Sequence, residues 1–139
     1  MADLAFVIRP AADDDLNFIR STWLREYADS SWARAAGASY WPGHIRIRDE
    51  LLDRAPPIVA SLEVEPTSIC GWACFEAGTI HFVFVRPRWQ KLGVARLLLE
   101  PFDAKPAVYT HKTRGVDSNR LPKEWMFDPY QAIQHRRSA

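Results

Sequence analysis

The chain has 139 residues, 47% of them apolar and 25% charged, which are the proportions of an ordinary globular protein with one core. Its 18 basic and 17 acidic side chains leave a net charge of +1, which carries no general signal for nucleic acid. No apolar run approaches the ~20 residues that span a bilayer, and the opening "MADLAFVIRP" lacks the basic start and long apolar stretch of a signal peptide, so one cytoplasmic domain over 1–139 is expected.

Residues 5–9, "AFVIR", read as a short strand that Pro10 ends. Asp13, Asp14 and Asp15 then suit the positive end of a helix. Leu16, Ile19, Trp23 and Tyr27 recur at helical spacing, which predicts an amphipathic helix over 13–28. "SSWARAAGASYWPG" is rich in small residues and aromatics and is broken by Gly37, Pro42 and Gly43, so a loop with a helical turn is expected there. A second helix is predicted over 44–54, with Ile45, Leu51 and Leu52 on its apolar side. Three strands follow at 58–64, 69–75 and 79–85, joined by the turn-like "EPTS" and "EAGT" into an antiparallel meander. A helix over 93–102 and a strand over 107–111 come next. Because that strand follows a strand and a helix, it is expected to lie parallel to the strand at 79–85. The remainder reads as short apolar pieces around Asp128 and Pro129, then a frayed basic tail over 133–139. This order predicts an α+β fold: a mixed, mostly antiparallel sheet flanked by helices, with one βαβ step.

Cys70 and Cys74 lie on one predicted strand, facing the same way and roughly 13 Å apart at ~3.3 Å per residue. That separation excludes a disulfide without a fold-back, and no histidine lies at zinc-ligand spacing. Both are read as reduced core thiols, and no metal is expected.

The stretch with chemical content is "VFVRPRWQKLGVARLLLEPF", residues 83–102. A strand stops at Arg86-Pro87, and a basic turn holding Gly93 leads into a helix. A glycine at such a junction lets an anion approach unpaired backbone N–H groups. Arg86, Arg88 and Lys91 add charge that suits a phosphate or pyrophosphate. A tight turn with a solvated basic rim would use the same residues.

"VRPRWQKLGVARLLL" resembles the acyl-coenzyme A motif of the GNAT superfamily, the GCN5-related N-acetyltransferases. Val85, Pro87, Gln90, Gly93, Ala95, Leu97 and Leu98 fit its pattern, and the order of elements is similar from residue 5 to about 111. The resemblance implies acetyl-CoA as cosubstrate, with its pyrophosphate on the amides of Lys91, Leu92, Gly93, Val94 and Ala95, flanked by Gln90 or Arg88. It implies that the backbone of Phe84 and Val85 pairs with the pantetheine arm where two strands splay apart. It implies direct acetyl transfer to an amine in a ternary complex, with no cysteine nucleophile.

Such a transfer needs a base for the ammonium, a donor for the oxyanion and an acid for the thiolate. His81 is the first candidate base, on the strand four residues before Val85, with an ordinary pKa near 6.5; a strand histidine with no such role would sit there equally. Glu76 is the second. The resemblance implies a tyrosine as the acid, for which Tyr130 is the first choice and Tyr109 the second. Trp23, Trp32, Tyr40 and Trp41 fall where the fold covers the acceptor, and could hold an amine by cation–π contact or merely fill the core. Asp29 or Glu26 could add charge there.

The chain departs from the family after residue 111. Asn119 is present, but "RLPKEWMFDPYQAI" replaces the usual Ala-x-x-x-Tyr-x-x-x-Gly-Phe. Short, diverged chains of this kind resemble those of phages and prophages. The second hypothesis is therefore a non-catalytic GNAT-like binding or structural protein. No Walker-type or dinucleotide pattern supports a nucleotide site. Exposed tail strands would allow a homodimer.

Overall fold

The computed structural model describes residues 5–102, 107–113, 122 and 124–133. Asn119 and the tail beyond 133 lie outside the described residues. The order is β1 (Phe6–Pro10), α1 (Asp13–Tyr27), α2 (Ser31–Ala36), α3 (Tyr40–Arg54), β2 (Ile58–Leu62), β3 (Glu65–Glu76), β4 (Thr79–Val85), α4 (Val94–Leu99), β5 (Val108–Tyr109) and β6 (Met126–Phe127). The described strands form one sheet in the order β1-β2-β3-β4-β5-β6. β1 to β4 pair antiparallel, whereas β4–β5 and β5–β6 pair parallel. The expected α+β class and the βαβ step are both present.

The sheet separates two apolar layers. On one face, Ile19, Trp23 and Tyr27 of α1 and Leu51 and Leu52 of α3 pack on Val59, Trp72 and Phe82. On the other, Val94 and Leu98 of α4 pack on Ala60, Cys70 and Ala73. α1 is anchored at its start by Asp15, whose carboxylate accepts from the Ala12 amide (2.7 Å) and from Arg9 (2.6 Å). The hydrogen bond from Arg9 holds the Asp15 carboxyl below the ordinary carboxylate range, against the opposing effect of burial. Asp15→Asn is expected to destabilise the fold by about 1–2 kcal/mol in urea melts at neutral pH. A lowered folded-state pKa stabilises above the unfolded-state value, and that stability is lost as pH falls through the folded one. The difference between variant and wild type should therefore shrink in acid.

Four expectations need correction. β3 begins at Glu65, so the turn from β2 falls on Glu63 and Val64 and not on "EPTS". α3 begins at Tyr40, four residues before the expected start, because Pro42 is its third residue and a first-turn proline forfeits no helical hydrogen bond. α4 is only six residues long, Val94–Leu99, and stops short of Pro101. Cys70 and Cys74 face opposite layers, not the same one. The register of β2 on β3 steps from Ala60↔Gly71 to Ser61↔Ile69, so Cys70 is an extra residue that reverses the alternation. Both thiols are free and buried, and burial pushes both thiol pKa values up, so neither is a nucleophile at neutral pH.

Candidate active site

A second register step shapes the centre of the sheet. β3 pairs with β4 as Cys74↔Phe82 and then Phe75↔Ile80, which leaves His81 as the extra residue of a bulge. Pairing between β4 and β5 is confined to Thr79↔Val108 and Ile80↔Tyr109. Its last rung is the Thr110 amide on the Ile80 carbonyl, 3.0 Å. Among the described residues, β4 therefore runs on from the bulge with one edge unpaired.

The direction of that edge follows from the ladder with β3. The Arg86 amide donates to the Cys70 carbonyl (2.9 Å), so Gly71↔Val85 is a non-bonded pair and Trp72↔Phe84 a bonded one. The Phe84 peptide groups thus face β3, and those of Val83 and Val85 face the open edge. This corrects the expected pairing of Phe84 and Val85 with an extended ligand: the strand offers Val83 and Val85. Gln90 reaches back from the loop to donate to the Val85 carbonyl at 3.1 Å.

Beyond β4, Pro87–Trp89 form a 3-10 turn, and the chain then alternates in hand. Lys91 has φ +66° and Gly93 φ +84°, separated by Leu92. Alternating left- and right-handed residues make a concave run of N–H groups that suits anions. A Cβ on Gly93 would meet nothing within 4 Å, so the space in front of the loop is open. Lys91, Leu92 and Ala95 are exposed, whereas the Val94 side chain is buried and only its backbone can face a ligand. Arg88 lies over the Trp89 ring at 5.1 Å and Arg86 over Phe18 at 4.3 Å.

On the α1 side of the same strand end lies an open groove of about 470 Å³, lined by Phe18, Thr22, Arg25, Phe84, Arg86 and Trp89 among others. Phe18, Thr22 and Arg25 lie at i, i+4, i+7 and form a second stripe along α1, beside the one marked by Leu16, Ile19, Trp23 and Tyr27. Half of the expected aromatic cage lies in the core. Trp23 (0% exposed) and Tyr40 (5%) are core residues, and only Trp32 and Trp41 are open to solvent.

His81 is buried, and both of its ring nitrogens are engaged. Nδ1 lies 3.0 Å from the Thr110 hydroxyl and Nε2 3.0 Å from Glu76 Oε1. Glu76, at the end of β3, is also held by Arg54 of α3 at 3.0 Å, and its side chain is 26% exposed. From Thr110 the chain of contacts continues inward. The hydroxyl lies 2.7 Å from His111 Nδ1, His111 Nε2 lies 3.1 Å from His44 Nε2, and the Trp23 indole donates to His44 Nε2 at 3.2 Å. Burial pushes His44 down to about 4, helped by Arg48, and holds His111 well below the ordinary imidazole range. Burial also lowers His81, with Glu76 opposing it. Burial alone would raise Glu76, but the hydrogen bonds from His81 and Arg54 outweigh that and keep it below its ordinary value. The two expected tyrosines are not buried acids. Tyr109 is half-buried with its ring 5.5 Å from Phe127, and Tyr130 is 67% exposed on the 3-10 turn Pro129–Ala132.

No family model matches the sequence, and no curated protein matches it. Solved structures do. The apo form of YjaB from Escherichia coli superposes with a TM-score of 0.51 at 22% identity, over 70% of this chain and 63% of that one. A GCN5-related glucosamine N-acetyltransferase region of a fungal multi-domain β-N-acetylglucosaminidase superposes with a TM-score of 0.53 at 19% identity, over 77% of this chain. The fold is that of the GCN5-related N-acetyltransferases. At these identities the likeness concerns architecture, and the matched region covers 63% of YjaB and 14% of the fungal protein. Within a GNAT fold, the bulge at His81, the open β4 edge and the left-handed loop lie along one continuous strand-to-helix path. Among the described residues no group of histidine, cysteine or carboxylate side chains could hold a metal ion, and no helix is long and apolar enough to cross a membrane.

Proposed function

We propose that the protein is an acetyl-CoA-dependent N-acyltransferase that moves an acetyl group onto an amine by direct attack. The observation that carries this reading is the β4 edge. Among the described residues it has no partner after Ile80; it turns the Val83 and Val85 peptide groups outward and ends in an anion-suited loop with open space at Gly93. A pantetheine arm is an amide-bearing chain that can pair like a strand, and a pyrophosphate is what a basic N–H concavity binds. Gln90 and Arg88 flank that loop, and Lys91 adds a cation.

In the proposed reaction the amine nitrogen attacks the thioester carbonyl carbon, the carbon–sulfur bond breaks, and the sulfur leaves with a proton. Before attack the ammonium must lose a proton. His81 has no free ring nitrogen to receive it, so Glu76, the member of the pair that reaches solvent, is the base and His81 supports it. Tyr109 and Tyr130 remain the tyrosines available to the leaving sulfur. The fungal region is named for glucosamine, which makes an amino sugar the first acceptor to try.

The test is a thermal melt with acetyl-CoA, with CoA and ATP as controls. Ligand at 100 times its Kd adds about 2.7 kcal/mol, a rise of several degrees for a chain of this size. A shift with acetyl-CoA and CoA but not ATP, followed by thiol release with an amine, is the expected result. A shift without thiol release for any amine would favour the second reading, a CoA-binding protein without catalysis. That reading is supported by the enclosed His81 and by the exposed Tyr130. No shift at all would remove both.

A further inference from the structure

The groove between α1 and the end of β4 is charged unevenly along its length. Phe18 starts its α1 wall, with its ring 6.1 Å from that of Phe84 and 4.3 Å from the Arg86 guanidinium. Glu26 ends that wall, roughly 12 Å further on at ~1.5 Å per residue. The next residue, Tyr27, packs on Phe82, which adjoins the bulge at His81. α1 and β4 therefore run in opposite directions, and the Glu26 end of the groove is the end nearer His81.

The cations gather towards the other end. Arg86 and Arg88 follow β4, and Arg25 joins them from α1. The Arg25 Nε donates to the Ser21 carbonyl at 3.4 Å, which turns the side chain back along the helix towards Phe18. Arg9, Arg48 and Arg54 are each paired with a carboxylate, whereas Arg25, Arg86 and Arg88 make no ion pair among the described residues. A guanidinium resting on a ring face, as Arg86 does on Phe18, keeps N–H groups at its rim for an anion. Glu26, half-buried, is also without an ion pair among the described residues. The stretch between the two ends is apolar. Phe18 and Phe84 line it, and the Thr22 hydroxyl is already committed, donating to the Phe18 carbonyl at 2.7 Å and accepting from the Trp72 indole at 2.8 Å.

We propose that this groove selects an acceptor with an amine at one end, an anion at the other and a flat apolar middle. Resting on the acyltransferase reading, the ammonium passes Glu26 towards the Glu76–His81 pair, and a carboxylate or phosphate is held between Arg25 and Arg86. An arginine presents such an oxyanion with paired N–H donors, and two arginines from different elements fix its position. Arg25, Arg86 and Glu26 are then the residues that set specificity, and Phe18 and Phe84 set the width of the middle. By this charge pattern a neutral amino sugar is a weaker acceptor than an amine that carries an anion.

The test measures binding to the full-length protein by calorimetry, with and without saturating CoA. The probes are para-(aminoethyl)benzoate and tyramine phosphate, with tyramine as the match that keeps the ring and the amine but lacks the anion. At least one anionic probe should bind about tenfold or more tightly than tyramine, the size of one charge-assisted contact, and the tighter of the two identifies the anion. Arg25→Gln should reduce that preference to about threefold or less, and Arg25→Lys should restore part of it. Equal binding of tyramine and both anionic probes to the wild-type protein overturns the proposal, and it does so even if the variants fail to fold. Loss of the preference once CoA is bound also overturns it, because the arginines would then be holding the cofactor's own phosphates. Since binding is read without turnover, a tenfold preference in a protein that releases no thiol would sink the acyltransferase reading and leave the ligand class of the groove standing. Thiol release with a kcat/KM as high for tyramine as for the anionic probes would do the reverse.

Discussion

Glu76→Gln is expected to cut turnover with an amine by about 10²–10⁴-fold while the thermal shift with acetyl-CoA persists. Glutamine keeps the shape of the side chain, and its amide can donate to His81 Nε2, which faces Oε1 at 3.0 Å. The variant thus keeps a hydrogen-bond partner for His81, yet it has no carboxylate to receive a proton from an ammonium. The lost charge leaves Arg54 with a weaker partner, although Gln131 also accepts from it through its carbonyl, at 3.2 Å. A stability loss of about 1 kcal/mol is expected and should not be confused with the loss of rate. Wild-type kcat should fall as pH falls through the shared titration of the Glu76–His81 pair, because the protonated pair cannot accept another proton. The residual rate of Glu76→Gln should lack that limb. His81→Ala should lower kcat as well, and the double variant should be little worse than Glu76→Gln, as for residues that act as one unit. Initial rates by thiol release, with melts alongside, decide the matter. A Glu76→Gln rate within about threefold of wild type would assign the pair to structure alone.

The periodic parts of the chain were legible in the sequence. Leu16, Ile19, Trp23 and Tyr27 marked the buried face of α1, and the break at "EAGT" with the stop at Arg86-Pro87 marked β4 to the residue. The junction after Val85 was legible because Pro87 and Gly93 each have a backbone consequence, a 3-10 turn and a φ of +84°. Register was less accessible. Neither bulge has a local signature, yet the one at Cys70 reverses which layer the thiol enters, and the one at His81 sets which β4 peptide groups face outward. The expected pairing of Phe84 failed for that reason. The histidine chain was hidden for another. His44, His81 and His111 come from α3, β4 and the segment after β5, at separations that match no ligand or catalytic spacing. Only the folded sheet brings them within 3.1 Å of one another or of the hydroxyl that joins them. Trp23 likewise reads as core from its helical spacing, and it is core, but its indole N–H also fixes the tautomer of His44.

Gly71→Ala should be the most damaging small substitution in the sheet. A Cβ at Gly71 would lie 2.5 Å from the Phe84 carbonyl oxygen, 3.2 Å from Val85 Cα and 3.3 Å from Leu98 Cδ1. Leu98 could turn aside, but the first two atoms are backbone and can yield only if β3 and β4 move apart. Overpacking of this kind costs about 1–3 kcal/mol, with the upper end expected where main chain must shift. For a chain of this length that corresponds to a fall in Tm of roughly 10 °C. The effect on ligand binding should exceed what stability explains. Gly71 pairs with Val85, and the Arg86 amide bond to Cys70 sits one step beyond, so separation there tilts the end of β4 that leads into the Lys91–Gly93 loop. Gly93→Ala is the matched control. It clashes with nothing within 4 Å and strains only its own φ of +84°, so it should cost about 1 kcal/mol. At a temperature where both variants are folded, acetyl-CoA should shift the melting of Gly71→Ala less than that of Gly93→Ala, if the strand end and the loop form one binding surface. Equal shifts would mean that the loop holds its shape independently of β4, and the path from His81 to Gly93 would then be two separate features.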